Sequence, residues 1–284
     1  MKLTNLRVVL TRIDRIQVAV PDPAPVADAW SALLGAEGAG DDTVACLGAR
    51  RTTLRLGTGW VELLQPAGDG PVADAVERRG AHLYAAGIAV ADPTELRLRL
   101  GERDVVHHVE GDQVFLDVGH GLRLVLGPDK PEPPVGAVDE LYEVTNLVDD
   151  AEATVQTIAD LFGLHPSFFA PISSDEYGYS GVLTLFHPDR LHRIEVIHPH
   201  DETKTMGRFY RRFGESLYMC FAETGDLPGV TQRAADLSVA TTPVGDHTLF
   251  VHPPGLGGVM LGLSRRTYAW TWSGRPQRVE SETR

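Results

Sequence analysis

The sequence predicts an α+β protein built from tandem duplicated βαβββ modules, and three observations carry that expectation. One stretch occurs twice: Val61-Glu62-Leu-Leu-Gln-Pro66 and Ile194-Glu195-Val-Ile-His-Pro199 are each followed by a helical segment and a run containing Leu-Tyr, Leu83-Tyr84 and Leu217-Tyr218. The spacing of the two copies, roughly 130 residues, suits an ordinary domain and is too long for a solenoid unit. Between the copies, residues 127–137 contain four prolines. A segment of that kind is stiff, solvated and unable to pack, so it reads as a linker.

The elements follow in order. Ile13 to Val20 alternates as a strand does and is ended by Pro21-Asp22-Pro23. Val26, Trp30, Leu33 and Leu34 have helical spacing, and Gly35 sits at the C-cap. Short strands are expected over Thr43–Leu47, Thr52–Leu56 and Trp60–Gln65. A helix runs from Pro71 to Gly80, followed by a strand over Tyr84–Val90, a helix opened by Asp92-Pro93, and three short strands ending at Gly127. The first domain is thus 10–128 and the linker 129–137. The second domain, 138–266, repeats the order: a strand over Leu141–Val148, a helix N-capped by Asp150 and stopped at Gly163, then strands over Tyr179–Phe186 and His192–Ile197. A helix around Lys204–Phe213, a strand over Leu217–Glu223, a helix near Val230–Leu237, and strands over Thr248–His252 and Gly258–Leu263 complete it. The tail 267–284 is aromatic at first, and disorder is expected after Arg275.

Composition narrows the function classes. The chain has 284 residues, 43% hydrophobic and 23% charged, with a formal net charge of -13. That is a soluble globular composition, and the acidity argues against nucleic acid and anionic membranes as partners. No apolar run approaches the roughly 20 residues of a membrane span. Residues 1–10 lack a secretory h-region and cleavage site. Cys46 and Cys220 fall at unmatched places in the two copies and read as buried reduced thiols, so cytoplasm is the default compartment.

The arrangement resembles the vicinal oxygen chelate superfamily, which includes glyoxalase, bleomycin-resistance proteins, methylmalonyl-CoA epimerase and extradiol dioxygenases. Ile13-Asp14-Arg15-Ile-Gln-Val-Ala-Val-Pro-Asp is similar to that family's first strand and turn. Val61-Glu62-Leu-Leu-Gln-Pro and Arg193-Ile-Glu195-Val-Ile-His-Pro resemble its metal-bearing fourth strand. Thr248-Leu-Phe-Val-His252-Pro-Pro-Gly-Leu-Gly-Gly-Val-Met-Leu resembles the closing hairpin of the epimerase branch. The resemblance implies two glyoxalase-like domains, each enclosing a cleft with four inward positions for a divalent metal. In such a site the metal polarises two adjacent substrate oxygens.

Carried onto this chain, the four positions of the first domain are Arg15, Glu62, Ala85 and Val125. One cation, one carboxylate and two apolar groups form no metal site; Arg15 and Glu62 suit an ion pair across the cleft, or solvation. In the second domain the positions are Glu143, Glu195, Met219 and Gly262. Two carboxylates remain, but a thioether is a poor ligand for hard cations. Glu143 and Glu195 are therefore the candidate catalytic residues, either as ligands of Fe, Mn, Zn or Ni or, with no cofactor, as an acid–base pair.

His252 is a third catalytic candidate because its pKa lies near neutrality, with a hairpin-bonding structural role as the alternative. Tyr218 and Met219 would shape the substrate floor. Lys204 and Arg208, with Arg211 and Arg212, form either a solvated helix face or a clamp for a carboxylate, phosphate or CoA-like group. Phe168, Phe169, Tyr177, Tyr179 and Trp270 are candidates for an aromatic pocket. His187, His192, His198 and His200 match no compact zinc spacing. The expected function is an isomerase, lyase or dioxygenase-like enzyme working on a small oxygenated, aromatic or cyclic metabolite. The competing class is a metal-free binding protein of the bleomycin-resistance type. The expected partner is that small molecule, with homo-oligomerisation left open.

Overall fold

A computed structural model describes residues 10–280; the opening residues read above for a secretory signal lie, apart from Leu10, outside them. The elements run β1 (Leu10–Ala19), α1 (Ala24–Leu34), β2 (Glu37–Val44), β3 (Ala49–Leu56), β4 (Gly59–Pro66), α2 (Pro71–Arg79), β5 (His82–Val90), α3 (Pro93–Glu102), β6 (His107–Glu110), β7 (Gln113–Asp117) and β8 (Arg123–Pro128). The order then recurs as β9 (Glu140–Leu147), α4 (Ala151–Phe162), β10 (Ala170–Ser174), β11 (Tyr179–Leu185), β12 (Arg193–Pro199), α5 (Thr205–Phe213), β13 (Ser216–Thr224), α6 (Leu227–Asp236), β14 (Thr241–Val244), β15 (Thr248–Val251) and β16 (Met260–Arg265). Two eight-stranded sheets result, ordered β2-β3-β4-β1-β5-β8-β7-β6 and β10-β11-β12-β9-β13-β16-β15-β14. Strand for strand they have the same topology, as duplication requires.

Local chemistry explains most boundaries. Asp150 accepts the Ala153 amide at 3.0 Å and Asp226 accepts that of Gly229 at 3.0 Å, so both cap orphan donors of a first turn. Gly35 and Gly163 close α1 and α4 in the left-handed conformation. The strand expected over Thr43–Leu47 lies instead over Glu37–Val44, and Ala45–Leu47 tightens into a 3₁₀ turn. Strands β10 and β14 were absent from the sequence reading. Each is an edge strand carrying a proline (Pro171, Pro243), which mutes the strand signal and suits an edge. Past Arg275 the chain forms another 3₁₀ turn over Pro276–Arg278, and the Arg278 guanidinium sits 4.7 Å from the Trp270 ring. Residues 281–284 lie outside the description.

By packing, the chain divides into two compact units, each drawn from both copies of the repeat. One holds the stretch ending at Ile13, Gly87–Lys130 and Thr145–Leu217; the other holds Asp14–Ala86, Pro131–Val144 and the stretch from Tyr218 onward. Within the first, Arg99 of α3 donates to the carbonyls of Leu161 at 2.6 Å and Asp160 at 2.7 Å, at the C-terminal end of α4. Within the second, Arg233 of α6 donates to the Leu33 carbonyl at 2.9 Å, at the C-terminal end of α1. A guanidinium there satisfies orphan carbonyls and meets the negative end of the helix dipole.

Two glycines repeat the correspondence. A Cβ on Gly121 would lie 2.1 Å from the Glu215 carbonyl oxygen, and one on Gly258 would lie 2.0 Å from that of Ala81. Both residues have positive φ, +66° and +89°, so only glycine fits either place.

Arg99→Ala and Arg233→Ala should each lower unfolding free energy by about 1–2 kcal/mol through the lost cap and the stranded carbonyls. Urea unfolding measures this, and a loss below about 0.3 kcal/mol in either variant would show that its cap is dispensable.

Candidate functional site

In the first copy the strand register sets the site. Strands β1 and β4 pair in parallel with Arg15 opposite Trp60 and Gln17 opposite Glu62. Glu62, 2% exposed, accepts from Arg15 Nη1 at 2.9 Å, Gln17 Nε2 at 2.8 Å and Arg51 Nη1 at 3.3 Å. Arg15 also forks onto Asp14 at 2.7 and 3.1 Å and stands 4.8 Å from the Trp60 ring. Burial alone would lower the Arg15 pKa; Asp14 and Glu62 outweigh it and raise it above the ordinary guanidinium value. The ion pair expected between Arg15 and Glu62 therefore exists, as part of a buried network. With two guanidinium partners and an amide, Glu62 is occupied as a structural counter-ion. Ala85 and Val125 are buried apolar residues.

The second copy keeps the carboxylate and changes its surroundings. Glu195 on β12 is 4% exposed, and the Thr145 hydroxyl of β9 donates to its Oε2 at 2.6 Å. Thr145 stands where Gln17 stands in the first copy, and both bond the corresponding glutamate. Sequence reading missed Thr145 because a threonine within a strand carries no signal of a partner 50 residues away. In β12 the neighbours Ile194, Val196 and Ile197 are fully buried. Leu183, also fully buried, is the register partner of Glu195 on β11.

Glu143 on β9 is 2% exposed and belongs to the unit that also contains Cys220. Burial first, and the Glu143 charge second, push the Cys220 thiol far up, so it stays protonated. Both cysteines are free thiols, Cys220 buried and Cys46 half-buried.

Met219 and Gly262 sit on paired strands, with Met219 opposite Met260 and Phe221 opposite Gly262. A Cβ on Gly262 would lie 2.2 Å from Phe221 Cε1, so an aromatic ring fills the place of a side chain there. Phe221 anchors a ring cluster, with centroids 6.0 Å from Tyr142, 5.8 Å from Phe250 and 5.5 Å from Trp272. Tyr142 in turn shares a hydrogen bond with Ser264 at 3.1 Å. Trp270, one of the expected pocket aromatics, is buried beside Arg275 and Arg278, and Trp272 meets Phe221 instead.

His252 Nε2 lies 2.8 Å from the Thr242 hydroxyl, the hairpin bond weighed as its structural role. Tyr218 is half-buried, as is Lys204, which precedes α5. Arg208 is exposed on that helix, bonded to the Thr203 carbonyl and, at 3.2 Å, to Thr205 Oγ1. His192 Nδ1 accepts the Ile13 amide at 3.3 Å, and His198 Nδ1 lies 3.2 Å from the Val148 carbonyl. Among the described residues, no group of three or more His, Cys, Asp and Glu is placed to hold a metal ion. With a thioether and a ring-covered glycine at the remaining positions, the donor set does not fit a resident divalent cation.

Glu62→Ala takes one carboxylate from buried Arg15, which keeps Asp14, and from half-buried Arg51, which keeps Asp42, and should cost about 1–3 kcal/mol in urea unfolding. A cost below about 0.5 kcal/mol would show that the network carries no structural load.

No family model and no curated protein sequence matches this chain, but solved structures do. A triple mutant of 4-hydroxymandelate synthase from Streptomyces coelicolor aligns with TM-score 0.71 at 16% identity, over 91% of this chain and 93% of that one. A xylose isomerase-like TIM barrel/4-hydroxyphenylpyruvate dioxygenase fusion protein aligns with TM-score 0.62 at 12% identity, over 92% of this chain and 49% of that one. Methylmalonyl-CoA epimerase from Mycobacterium tuberculosis aligns over 48% of this chain at 21% identity, with TM-score 0.40. The chain thus shares the fold of the 4-hydroxymandelate synthase structure over nearly its whole length, as two tandem glyoxalase-like modules.

Proposed function

We propose that this chain is an enzyme of isomerase or lyase type that moves a proton on a small oxygenated metabolite, with Glu195 as the acid–base group. The observation that supports this reading is the bond from Thr145 to Glu195 at 2.6 Å in a buried part of β12. A buried carboxylate held by a hydroxyl donor is shielded from bulk water and kept in one place for proton transfer. One hydroxyl bond fixes the plane of the carboxylate and so the direction of proton transfer. The first copy provides an internal contrast. Glu62 occupies the corresponding place and is ion-paired with Arg15 and Arg51. Glu143, buried on β9, is a separate candidate carboxylate.

The reading is tested by proton exchange. A panel of small carbonyl and hydroxy metabolites, aromatic ones included, is incubated with the protein in D₂O and followed by ¹H NMR. We expect exchange at a carbon next to a carbonyl for at least one compound. Glu195→Gln should reduce it by roughly 10²–10⁴-fold, the usual contribution of a positioned acid–base group. Thr145→Val should reduce it less, and Thr145→Ser should restore it. Exchange that survives Glu195→Gln overturns the proposal. So does near-stoichiometric metal in the purified protein that disappears in Glu143→Ala/Glu195→Ala, because the carboxylates would then be ligands.

One observation favours a second reading, binding without turnover. The rings of Tyr142, Phe221, Phe250 and Trp272 form a contiguous aromatic cluster in which Phe250 and Trp272 are half-buried, and a planar apolar ligand can stack on those two rings. Thermal stabilisation by aromatic compounds that is lost in Phe221→Ala, with no exchange on any compound, would support sequestration over catalysis.

A further inference from the structure

Helix α5 differs from its counterpart α2 in a way that the duplication does not explain. Between residues 204 and 212 the chain places Lys204, Arg208, Arg211 and Arg212 with no acidic residue among them, in a protein of formal net charge -13. Over α2 the same stretch is balanced, Asp74 and Glu77 against Arg78 and Arg79. Arg208, Arg211 and Arg212 lie at i, i+3 and i+4, so they share one turn, and like charges at that spacing destabilise a helix. All three are exposed.

Their neighbours hold them in place. Arg208 is bonded to the Thr203 carbonyl and to Thr205 Oγ1. Arg211 stands 3.6 Å from Glu202, and Arg212 stacks 4.9 Å from the Phe213 ring, which itself meets Phe209. The helix is anchored at its first turn, where Gly207 leaves no room for a Cβ against the Asp201 carbonyl, 2.1 Å away. A guanidinium has five N–H donors in a planar fork, so one or two local bonds leave donors facing outward. Three such forks on one turn, with Lys204 a turn below, match spaced phosphoryl groups better than a single carboxylate.

We propose that the outer face of α5 is a binding site for a small diphosphate-bearing anion. The phosphoryl oxygens accept from Arg208, Arg211 and Arg212, and Arg211 exchanges Glu202 for the ligand. This site is independent of Glu195, and its test reads binding rather than activity, so the two proposals stand or fall separately.

The experiment is titration calorimetry of the full chain with inorganic pyrophosphate, and in parallel with sulfate at equal ionic strength. Two triple variants are compared with the parent: R208A/R211A/R212A, and R78A/R97A/R103A, which removes the same charge elsewhere. Circular dichroism confirms that both are folded. We expect saturable pyrophosphate binding, at least tenfold tighter than sulfate, weakened at least tenfold in the α5 variant and less than twofold in the other. Equal weakening in both variants would mean that only net charge attracts the anion, and the proposal fails. It fails equally if pyrophosphate shows no saturable heat, or binds no better than sulfate.

Discussion

The rest of the structure depends on a guanidinium that reaches out of one copy of the repeat to close a helix of the other. Arg99 on α3 caps α4, and Arg233 on α6 caps α1. The last carbonyls of a helix have no partner within it, so a donor must come from elsewhere. Here both donors come from a helix of the opposite copy, and each compact unit gathers chain from both copies. The glycines at 121 and 258 follow the same rule, each allowing a turn to rest against backbone of the other copy or module. Duplication thus produced mutual dependence within each unit, where two self-sufficient beads would have been simpler.

The same duplication exposes how environment decides the fate of a retained residue. Glu62 and Glu195 occupy corresponding strands, are similarly buried, and each accept a bond from the corresponding position of a neighbouring strand, Gln17 or Thr145. On the first side Arg15 and Arg51, two cations, are directed at Glu62. A position held by arginine in one copy is held by Glu143 in the other.

Much of the fold was legible because it was written in punctuation. Gly35, Gly80 and Gly163 end helices, Pro71 and Asp150 start them, and Glu62 with Pro66 repeats as Glu195 with Pro199. Those signals are local, and local signals survive in sequence. The short strands holding Pro171 and Pro243 were missed because proline argues against a strand unless the edge is known. Of the candidate site, the lone acids were visible as interruptions of apolar strands. The Thr145 hydroxyl and the Phe221 ring over Gly262 were not, since each depends on which strand lies alongside. The exchange of partners between copies was equally invisible, because amphipathic helices carry no mark of which sheet they will cover.

The Arg233–Leu33 bond spans 200 residues of chain. During synthesis, α1 leaves the ribosome long before α6 exists, so the Leu33 carbonyl waits for its guanidinium donor until most of the protein has been made. The first copy is then a partial structure waiting for the second, and its exposed surfaces are available to chaperones or to another nascent chain throughout that interval. Contacts this remote in sequence also slow folding, since a long loop must close before they contribute. The interleaving that unifies the finished molecule makes the growing one vulnerable.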